Sequence, residues 1–169
     1  QRSRARLGWW SEVRPDDCHP ADPDRGDTMT DNEYTALRLL AEGACVMILD
    51  YSAEALPAAV TLLEQAADRD RVRATVCDVT QESQVQEAFD ACALAFGGMD
   101  ILVANAGIAS SAPLEETTVE LWRKNFDVLA EGYFLTARAA FPLLKQQRGG
   151  SIVFIGSKNG LAAATNASA

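Results

Sequence analysis

Short apolar runs alternate with helical segments along most of this chain, and this alternation limits the possible folds more than any other feature of the sequence. Four segments have the length of strands, at residues 44–50, 71–77, 100–105 and 151–156, and the first, third and fourth contain the continuous apolar runs typical of buried strands. Segments with the apolar periodicity of an α-helix precede and separate them, at residues 32–42, 53–68, 81–96 and 114–147. Because parallel strands joined by helices follow right-handed crossovers, the pattern predicts an α/β fold with a doubly wound parallel sheet.

Residues 1–30 do not share this pattern. Pro15, Pro20 and Pro23 are incompatible with a central strand or an uninterrupted helix, and no helical or strand period runs through this segment. We therefore predict an irregular tail over residues 1–30 and one α/β domain over residues 31–169.

Composition and charge exclude several classes of protein. Apolar residues make up 48% of the 169 residues, which is enough for the core of one domain. The 24 acidic and 15 basic side chains give a formal net charge of −9, which argues against a nucleic-acid partner because phosphate binding requires concentrated positive charge. No apolar run approaches the roughly 18 residues that span a bilayer, so we expect no membrane partner.

The cysteines favour a reduced compartment. Their spacing fits neither a zinc site nor a disulfide framework, and the adjacent Cys18 and His19 have no further candidate ligands nearby. We therefore expect a cytoplasmic protein without a bound metal.

Polar or small residues follow each predicted strand, at the sheet edge where ligands bind in open parallel sheets. Asp50 is placed either to accept hydrogen bonds from an adenosine ribose or to be a solvated loop acid. Asp78 is placed to bind an adenine amino group, or has no such role. The turn at residues 105–107 either admits a nucleotide close to the backbone or is a plain connection. Ser157, taken alone, is typical of a helix cap.

Taken in order, these strand ends resemble the short-chain dehydrogenase/reductase family, whose fold is a Rossmann-like sheet that binds a nicotinamide cofactor. The resemblance covers roughly residues 33–169. The stretches that carry it are Ala41-Glu42-Gly43-Ala44 before Asp50, Cys77-Asp78-Val79-Thr80, Gly98-Met99-Asp100-Ile101-Leu102-Val103-Ala104-Asn105-Ala106-Gly107, Trp122, Gly132-Tyr133-Phe134 and Gly150-Ser151-Ile152-Val153-Phe154-Ile155-Gly156-Ser157. A narrower likeness, to the dehydrogenase half of bifunctional rhamnulose-1-phosphate aldolase/alcohol dehydrogenases, rests on residues 127–135 and on Ser157-Lys158-Asn159.

The resemblance implies a role for each strand end. Asp50 would bind the adenosine ribose of NAD, and Asp78 and Val79 would flank the adenine. The floor of the cofactor site would be lined by Asn105, Ala106 and Gly107. Ser157 would be the catalytic residue that hydrogen-bonds the oxygen of a small alcohol or carbonyl substrate. The base in this family is a tyrosine, whose ordinary pKa of about 10 is lowered by a neighbouring lysine.

Three features depart from the family pattern. The family's glycine-rich phosphate loop and the strand before it would fall near residues 25–32, where only Gly26 matches a family glycine. Leu129 stands where the family has an asparagine that helps to hold a proton-relay water. The catalytic tyrosine would fall one residue beyond Ala169, and the tyrosines at positions 34, 51 and 133 lie on other elements.

These departures predict a truncated Rossmann-like sheet. The family's first strand lies between the strands predicted at residues 44–50 and 100–105, so its loss leaves two edges without partners. The tail could supply a strand there, the two flanking strands could pair directly, or the chain could fold poorly.

We interpret the chain as a fragment of an NAD-dependent dehydrogenase that interconverts an alcohol and a carbonyl compound, for which a lactaldehyde-like substrate is one candidate, and we expect it to be inactive as given. The alternatives are a non-catalytic nucleotide-binding module and an interaction fragment. The helix predicted over residues 114–147 is apolar on more than one face, so we expect a homo-oligomer formed through it.

Overall fold

The computed structural model describes residues 31–108, 110, 112–147 and 149–157. The predicted tail, with Gly26 and the Cys18–His19 pair, lies outside the described residues, as do Lys158 and Asn159. None of the described helices is long and apolar enough to cross a membrane.

Helices and strands alternate in the predicted order. The helices are α1 (Asp31–Ala41), α2 (Leu56–Glu64), α3 (Glu82–Phe96), α4 (Val119–Phe126) and α5 (Gly132–Gln146). The strands are β1 (Val46–Asp50), β2 (Val72–Val76), β3 (Ile101–Ala104) and β4 (Ser151–Phe154). Short 3₁₀ turns lie at Arg69–Arg71 and Leu114–Glu116, and a π-helical turn at Asp127–Glu131 joins α4 to α5.

Glycines end two of the helices. Gly43 has a φ of 90°, and its amide donates to the Leu40 carbonyl over 3.0 Å. Gly97 has a left-handed φ of 79° after α3, and its amide donates to the Ala93 carbonyl over 2.8 Å. Glycine adopts this conformation without the steric cost of a side chain, so both helices stop where the chain must turn toward a strand.

The chain divides into two compact units, each with its own core. The described part of the first unit is residues 31–48 and 57–73, and α1 and α2 contribute much of its core: Ala36, Leu40, Leu63 and Val72. The second unit is residues 49–56 and the described residues from 74 onward. Its core lies among α3, α5 and β3 and comprises Cys77, Val85, Ala88, Phe89, Leu102, Ala104, Leu135, Ala140 and Leu144.

The four described strands form two separate two-stranded sheets. One sheet pairs β1 with β2, and the other pairs β3 with β4 in parallel, with Leu102 opposite Ile152. Among the described residues, therefore, β1 and β3 do not pair with each other, so the structure does not show the direct pairing that was one of the three alternatives raised by the sequence. Strand β4 is also more exposed than its apolar sequence predicts, as only Ile152 in it is partly buried.

The helix predicted over residues 114–147 needs correction at its start and within it. Leu114–Glu116 forms an isolated 3₁₀ turn, and the backbone at Thr117 and Thr118 is extended. The Thr118 hydroxyl accepts a hydrogen bond from the Leu121 amide over 3.1 Å, so it caps the first turn of α4. The prediction of one continuous helix is therefore wrong at Thr117 and Thr118, where the 3₁₀ turn ends and α4 begins.

Candidate functional site

The two predicted cofactor-binding carboxylates lie on neighbouring strand ends in the second unit. The Asp50 carbonyl at the end of β1 accepts a hydrogen bond of 2.8 Å from the amide of Cys77, which is the residue before Asp78. The Asp50 carboxylate accepts another, of 2.8 Å, from the Ser52 amide. This local turn orients the carboxylate at the carboxyl end of its strand, as the sequence predicts.

Asp78 is held by the turn that leads into α3. Its carboxylate oxygen Oδ1 accepts hydrogen bonds from the amide and the hydroxyl of Thr80, over 2.9 and 2.8 Å. Its amide donates to Oε1 of Gln84 over 2.9 Å. The turn therefore fixes the direction in which Asp78 and the following Val79 leave the strand.

Val79 packs against the start of α5. Gly132 is buried there, and a Cβ atom on it would lie 2.8 Å from Cγ2 of Val79, closer than carbon atoms approach without displacement. A glycine is thus required for α5 to approach the β2 end this closely.

The predicted cofactor floor follows β3. Asn105 is partly buried, whereas Ala106 and Gly107 are exposed and leave the backbone accessible. A Cβ atom on Gly107 would lie 3.4 Å from Cδ2 of Leu129, so this apolar side chain lies beside the predicted floor.

A buried polar contact behind this floor was not found from the sequence. Asn125 on α4 is 3% exposed, and its Nδ2 donates to the Leu121 carbonyl over 2.8 Å. The same side chain contacts the Ser110 hydroxyl, which donates to Oδ1 over 2.9 Å. Asn125 precedes Leu129 by four residues, and this helical spacing is the one signal that could have placed a polar group there.

The end of β4 is tied both to β3 and to α5. The Ile155 amide donates to the Ala104 carbonyl over 3.0 Å, which continues the parallel ladder one residue beyond β4. The Tyr133 hydroxyl donates to the Ile155 carbonyl over 2.6 Å. Two residues later the exposed Ser157 leaves this edge of the sheet.

Tyr133 therefore lies nearer to the site than the sequence indicates, but it does not have the character of a base. Partial burial raises the pKa of its hydroxyl above its ordinary value. A tyrosine base at neutral pH needs a lowered pKa, so this hydroxyl retains its proton and acts as a donor.

The sequence-predicted residues thus form two groups in the second unit. Asp50, Asp78 and Val79 lie at the joined ends of β1 and β2, and residues 105–107 and Ser157 follow the paired strands β3 and β4. The first two residues of α5 contact the first group and the strand end next to the second, since Gly132 lies against Val79 and the Tyr133 hydroxyl donates to the Ile155 carbonyl.

Comparison with protein families decides the identity of this arrangement. The model of the short chain dehydrogenases matches residues 33–169, which include every strand end described above. The chain belongs to the short-chain dehydrogenase family. Its Rossmann-like α/β fold accounts for the order of the elements, and members of this family bind NAD or NADP.

Individual relatives support the same assignment. The uncharacterized oxidoreductase YuxG of Bacillus subtilis is 47% identical over 133 residues, which are 78% of this chain and 19% of that protein. The crystal structure of levodione reductase superposes with a TM-score of 0.76 and 32% identity over 80% of this chain and 53% of that one. The NADPH-bound short chain oxidoreductase of Pseudomonas aeruginosa PAO1, described as containing an atypical catalytic center, gives a TM-score of 0.74 and 30% identity over 80% of this chain and 53% of that one.

This chain thus spans about half the length of these two solved short-chain dehydrogenases and 19% of YuxG.

Proposed function

We propose that this chain is a fragment of an NAD-dependent short-chain dehydrogenase that interconverts an alcohol and a carbonyl compound, and that it contributes the residues that bind the adenosine part of the cofactor. The observation that carries the proposal is the position of Asp50 at the end of β1, linked to the Asp78 turn at the end of β2. A carboxylate at the first of these places accepts hydrogen bonds from ribose hydroxyls and repels a 2′-phosphate.

The local geometry fits the adenosine half of the cofactor. Among the described residues, the Ser52 amide is the one donor to the Asp50 carboxylate, which leaves oxygen Oδ2 for a ribose hydroxyl. Val79 is held beside the proposed adenine position by Gly132, and the small exposed residues Ala106 and Gly107 leave room for the rest of the nucleotide. The sequence lacks the family's glycine-rich phosphate loop near residues 25–32, and Gly26, which alone matches a family glycine there, lies outside the described residues.

Ser157 is the proposed catalytic residue. When bound, the nicotinamide accepts or donates the hydride. The Ser157 hydroxyl would hydrogen-bond the reacting oxygen and hold the substrate carbon in place, but a serine does not remove a proton from an alcohol at neutral pH. No tyrosine follows Ser157 in this chain, so the 169-residue polypeptide is proposed to be inactive alone, as a fragment of the enzyme would be.

The narrower likeness to bifunctional rhamnulose-1-phosphate aldolase/alcohol dehydrogenases suggests a small hydroxyaldehyde of the lactaldehyde type as substrate. The length of YuxG is compatible with the likeness to bifunctional enzymes. The 133 matched residues are 19% of YuxG, so that protein has room for a second domain.

The proposed enzyme is cytoplasmic and homo-oligomeric. Cys45, Cys77 and Cys92 are free thiols, as expected in a reduced compartment. Helices α4 and α5 present exposed aromatic side chains, which favour association of two copies through these helices. The same exposed surface favours the alternative of an interaction fragment, and Leu129 favours a nucleotide-binding module without turnover.

The proposal predicts a preference for NAD over NADP that depends on Asp50. The test uses an extended chain that carries two segments of YuxG. One segment replaces residues 1–30, and the other continues the sequence after Ser157. Asp50→Ala should lower the ratio of kcat/KM for NAD to kcat/KM for NADP by about 10- to 100-fold, which corresponds to about 1.4–3 kcal/mol of discrimination. The reason is that the carboxylate no longer repels a 2′-phosphate.

Asp70→Ala is the matched control, because the Asp70 side chain is exposed in the first unit and pairs only with Arg73 across the surface. It should leave the ratio unchanged. Equal use of NAD and NADP by the unsubstituted extended chain would contradict the proposed role of Asp50.

A further inference from the structure

Tyr133, in the first turn of α5, donates a hydrogen bond to the carbonyl of Ile155, two residues before the proposed catalytic serine. We propose that Tyr133 is a positioning residue, whose hydroxyl holds the exit of β4 and thereby sets the location of Ser157. This inference rests on the proposed function for the role of Ser157, although the tether itself is a property of the chain alone.

Ile155 is the point at which the tether acts. Its amide donates to the Ala104 carbonyl over 3.0 Å, and its carbonyl accepts from the Tyr133 hydroxyl over 2.6 Å. Both backbone polar groups of Ile155, which belong to the two successive peptide units on either side of its Cα atom, are thus fixed immediately after β4 ends. Since Ser157 follows two residues later, its possible directions are limited by where Ile155 is held.

The Tyr133 ring is itself well placed to hold this position. It lies 5.4 Å from the Phe154 ring, centroid to centroid, with 18° between the ring planes, and it packs against the core of the second unit. Partial burial raises the pKa of its hydroxyl, so the donor remains protonated throughout the neutral range. The stack restricts the ring and the hydrogen bond selects one acceptor.

The start of α5 is fixed on its other side by Gly132. The absence of a side chain there lets the helix contact Val79 at the proposed adenine position. A π-helical turn, Asp127–Glu131, precedes these two residues and changes the rotation of α5 relative to α4. The dipeptide Gly132-Tyr133 therefore joins the proposed cofactor wall to the proposed catalytic edge, and the tether positions Ser157 relative to both.

Hydrogen–deuterium exchange on the 169-residue chain tests the tether without requiring activity. Tyr133→Phe keeps the ring and removes only the donor. It should raise amide exchange in a peptide covering residues 151–157 by about 2- to 10-fold, the usual net worth of one hydrogen bond, and leave exchange in α3 unchanged. Tyr34→Phe, on the partly exposed ring of α1, is the control and should change neither.

Unchanged exchange over residues 151–157 in folded Tyr133→Phe would overturn the proposal. Faster exchange throughout the second unit, or loss of folding, would also overturn it, because Tyr133 would then be a general stabilising residue and not a local tether.

A double-mutant cycle on the extended chain tests the link to Ser157. Tyr133→Phe should lower kcat by about 2- to 10-fold with an unchanged KM for NAD, and it should have no further effect when Ser157 is already alanine. Equal losses with serine and with alanine at position 157 would overturn the positioning role. An inactive unsubstituted extended chain would instead count against the proposed function, and the exchange experiment would still decide the tether.

Discussion

Single polar side chains stabilise the turns between helices and strands, and Arg71 is the clearest example. Its guanidinium donates from Nη2 and Nε to the Ala44 carbonyl, over 2.7 and 3.1 Å, and from Nη2 also to the Leu40 carbonyl. The Leu40 carbonyl lies in the last turn of α1, where a helix leaves acceptors without intrahelical donors, and Ala44 lies in the segment that joins α1 to β1. A cation at this end is also favoured by the helix dipole.

Arg71→Met should therefore lower the free energy of unfolding by about 1.5–3 kcal/mol, the range for hydrogen bonds to a charged group. Arg69→Met is the control, since the Arg69 side chain is 86% exposed and its ion pair with Glu64 contributes little. Urea denaturation of both variants measures the difference. Equal losses of stability would show that the contacts of Arg71 with α1 are not stabilising.

The contacts made by Asn125 and Tyr133 are also single-residue features, and neither could be read from the sequence. Each depends on a partner that is distant along the chain, Ser110 for the first and the Ile155 carbonyl for the second. Apolar periodicity locates the buried face of a helix, but it does not identify which polar atom on that face meets which acceptor.

At the scale of elements, the sequence predicts the strands well, because β1, β3 and β4 contain compact apolar runs and each predicted segment ends in or is followed by a polar or small residue. Strands β1 to β4 each lie within the predicted ranges, and α1 and α3 start and end within one residue of them. Helix α2 begins later than predicted, at Leu56, because Pro57 is tolerated only in a first turn.

The break between α4 and α5 could not be predicted. The π-helical turn Asp127–Glu131 keeps a helical backbone, so the apolar pattern runs through it almost unchanged. The extra residue in that turn nevertheless determines which side of α5 meets Val79 and Ile155, and the position of the candidate site follows from it.

Gly150 is the element-scale feature with the clearest consequence for stability. A Cβ atom there would lie 2.5 Å from the Asp100 carbonyl oxygen, and the adjacent Ser151 amide donates to that same oxygen over 3.0 Å. Gly150→Ala must therefore displace the first contact between β3 and β4. We expect it to lower the free energy of unfolding by about 1–3 kcal/mol, as overpacked sites do.

Gly156→Ala is the control, because nothing lies within 4 Å of the corresponding Cβ position and the substitution should leave stability nearly unchanged. Thermal denaturation followed by circular dichroism compares the two variants. An unaltered melting temperature for Gly150→Ala would mean that β3 and β4 tolerate a shift at this contact.

At the scale of the whole molecule, the exposed aromatic residues of α4 and α5 predict self-association. Trp122 and Phe126 are four residues apart on α4, with ring centroids 4.8 Å apart, and Phe134 and Phe141 are seven apart on α5. Both spacings place a pair on one face of its helix. An isologous contact between two copies would cover these faces.

Phe141→Glu should convert the associated form to monomer at micromolar concentration, because a charge buried without a partner opposes association. Leu94→Glu on α3 is the control, as Leu94 is 90% exposed and lies outside the proposed contact. Sedimentation velocity measures both. A monomer before any substitution, or an unchanged oligomer in Phe141→Glu, would contradict the proposed interface.

The central claim is that this chain carries Asp50, Asp78 and Ser157 of the proposed site but requires two further segments, one for NAD binding and one for turnover. Four chains test it: the 169-residue chain, the chain with only the YuxG segment before residue 31, the chain with only the YuxG segment after Ser157, and the extended chain with both. We expect the second to bind NAD without turnover and the third to gain little, since orientation of the cofactor and proton transfer each contribute at least about 100-fold to the rate.

The most direct measurement is the formation of NADH, followed by its near-ultraviolet absorbance, with short-chain hydroxyaldehydes and alcohols as substrates. The account predicts NADH formation from the extended chain alone among the four. Turnover by the 169-residue chain that is abolished by Ser157→Ala would contradict it, because the chemistry would then need no residue beyond those already present.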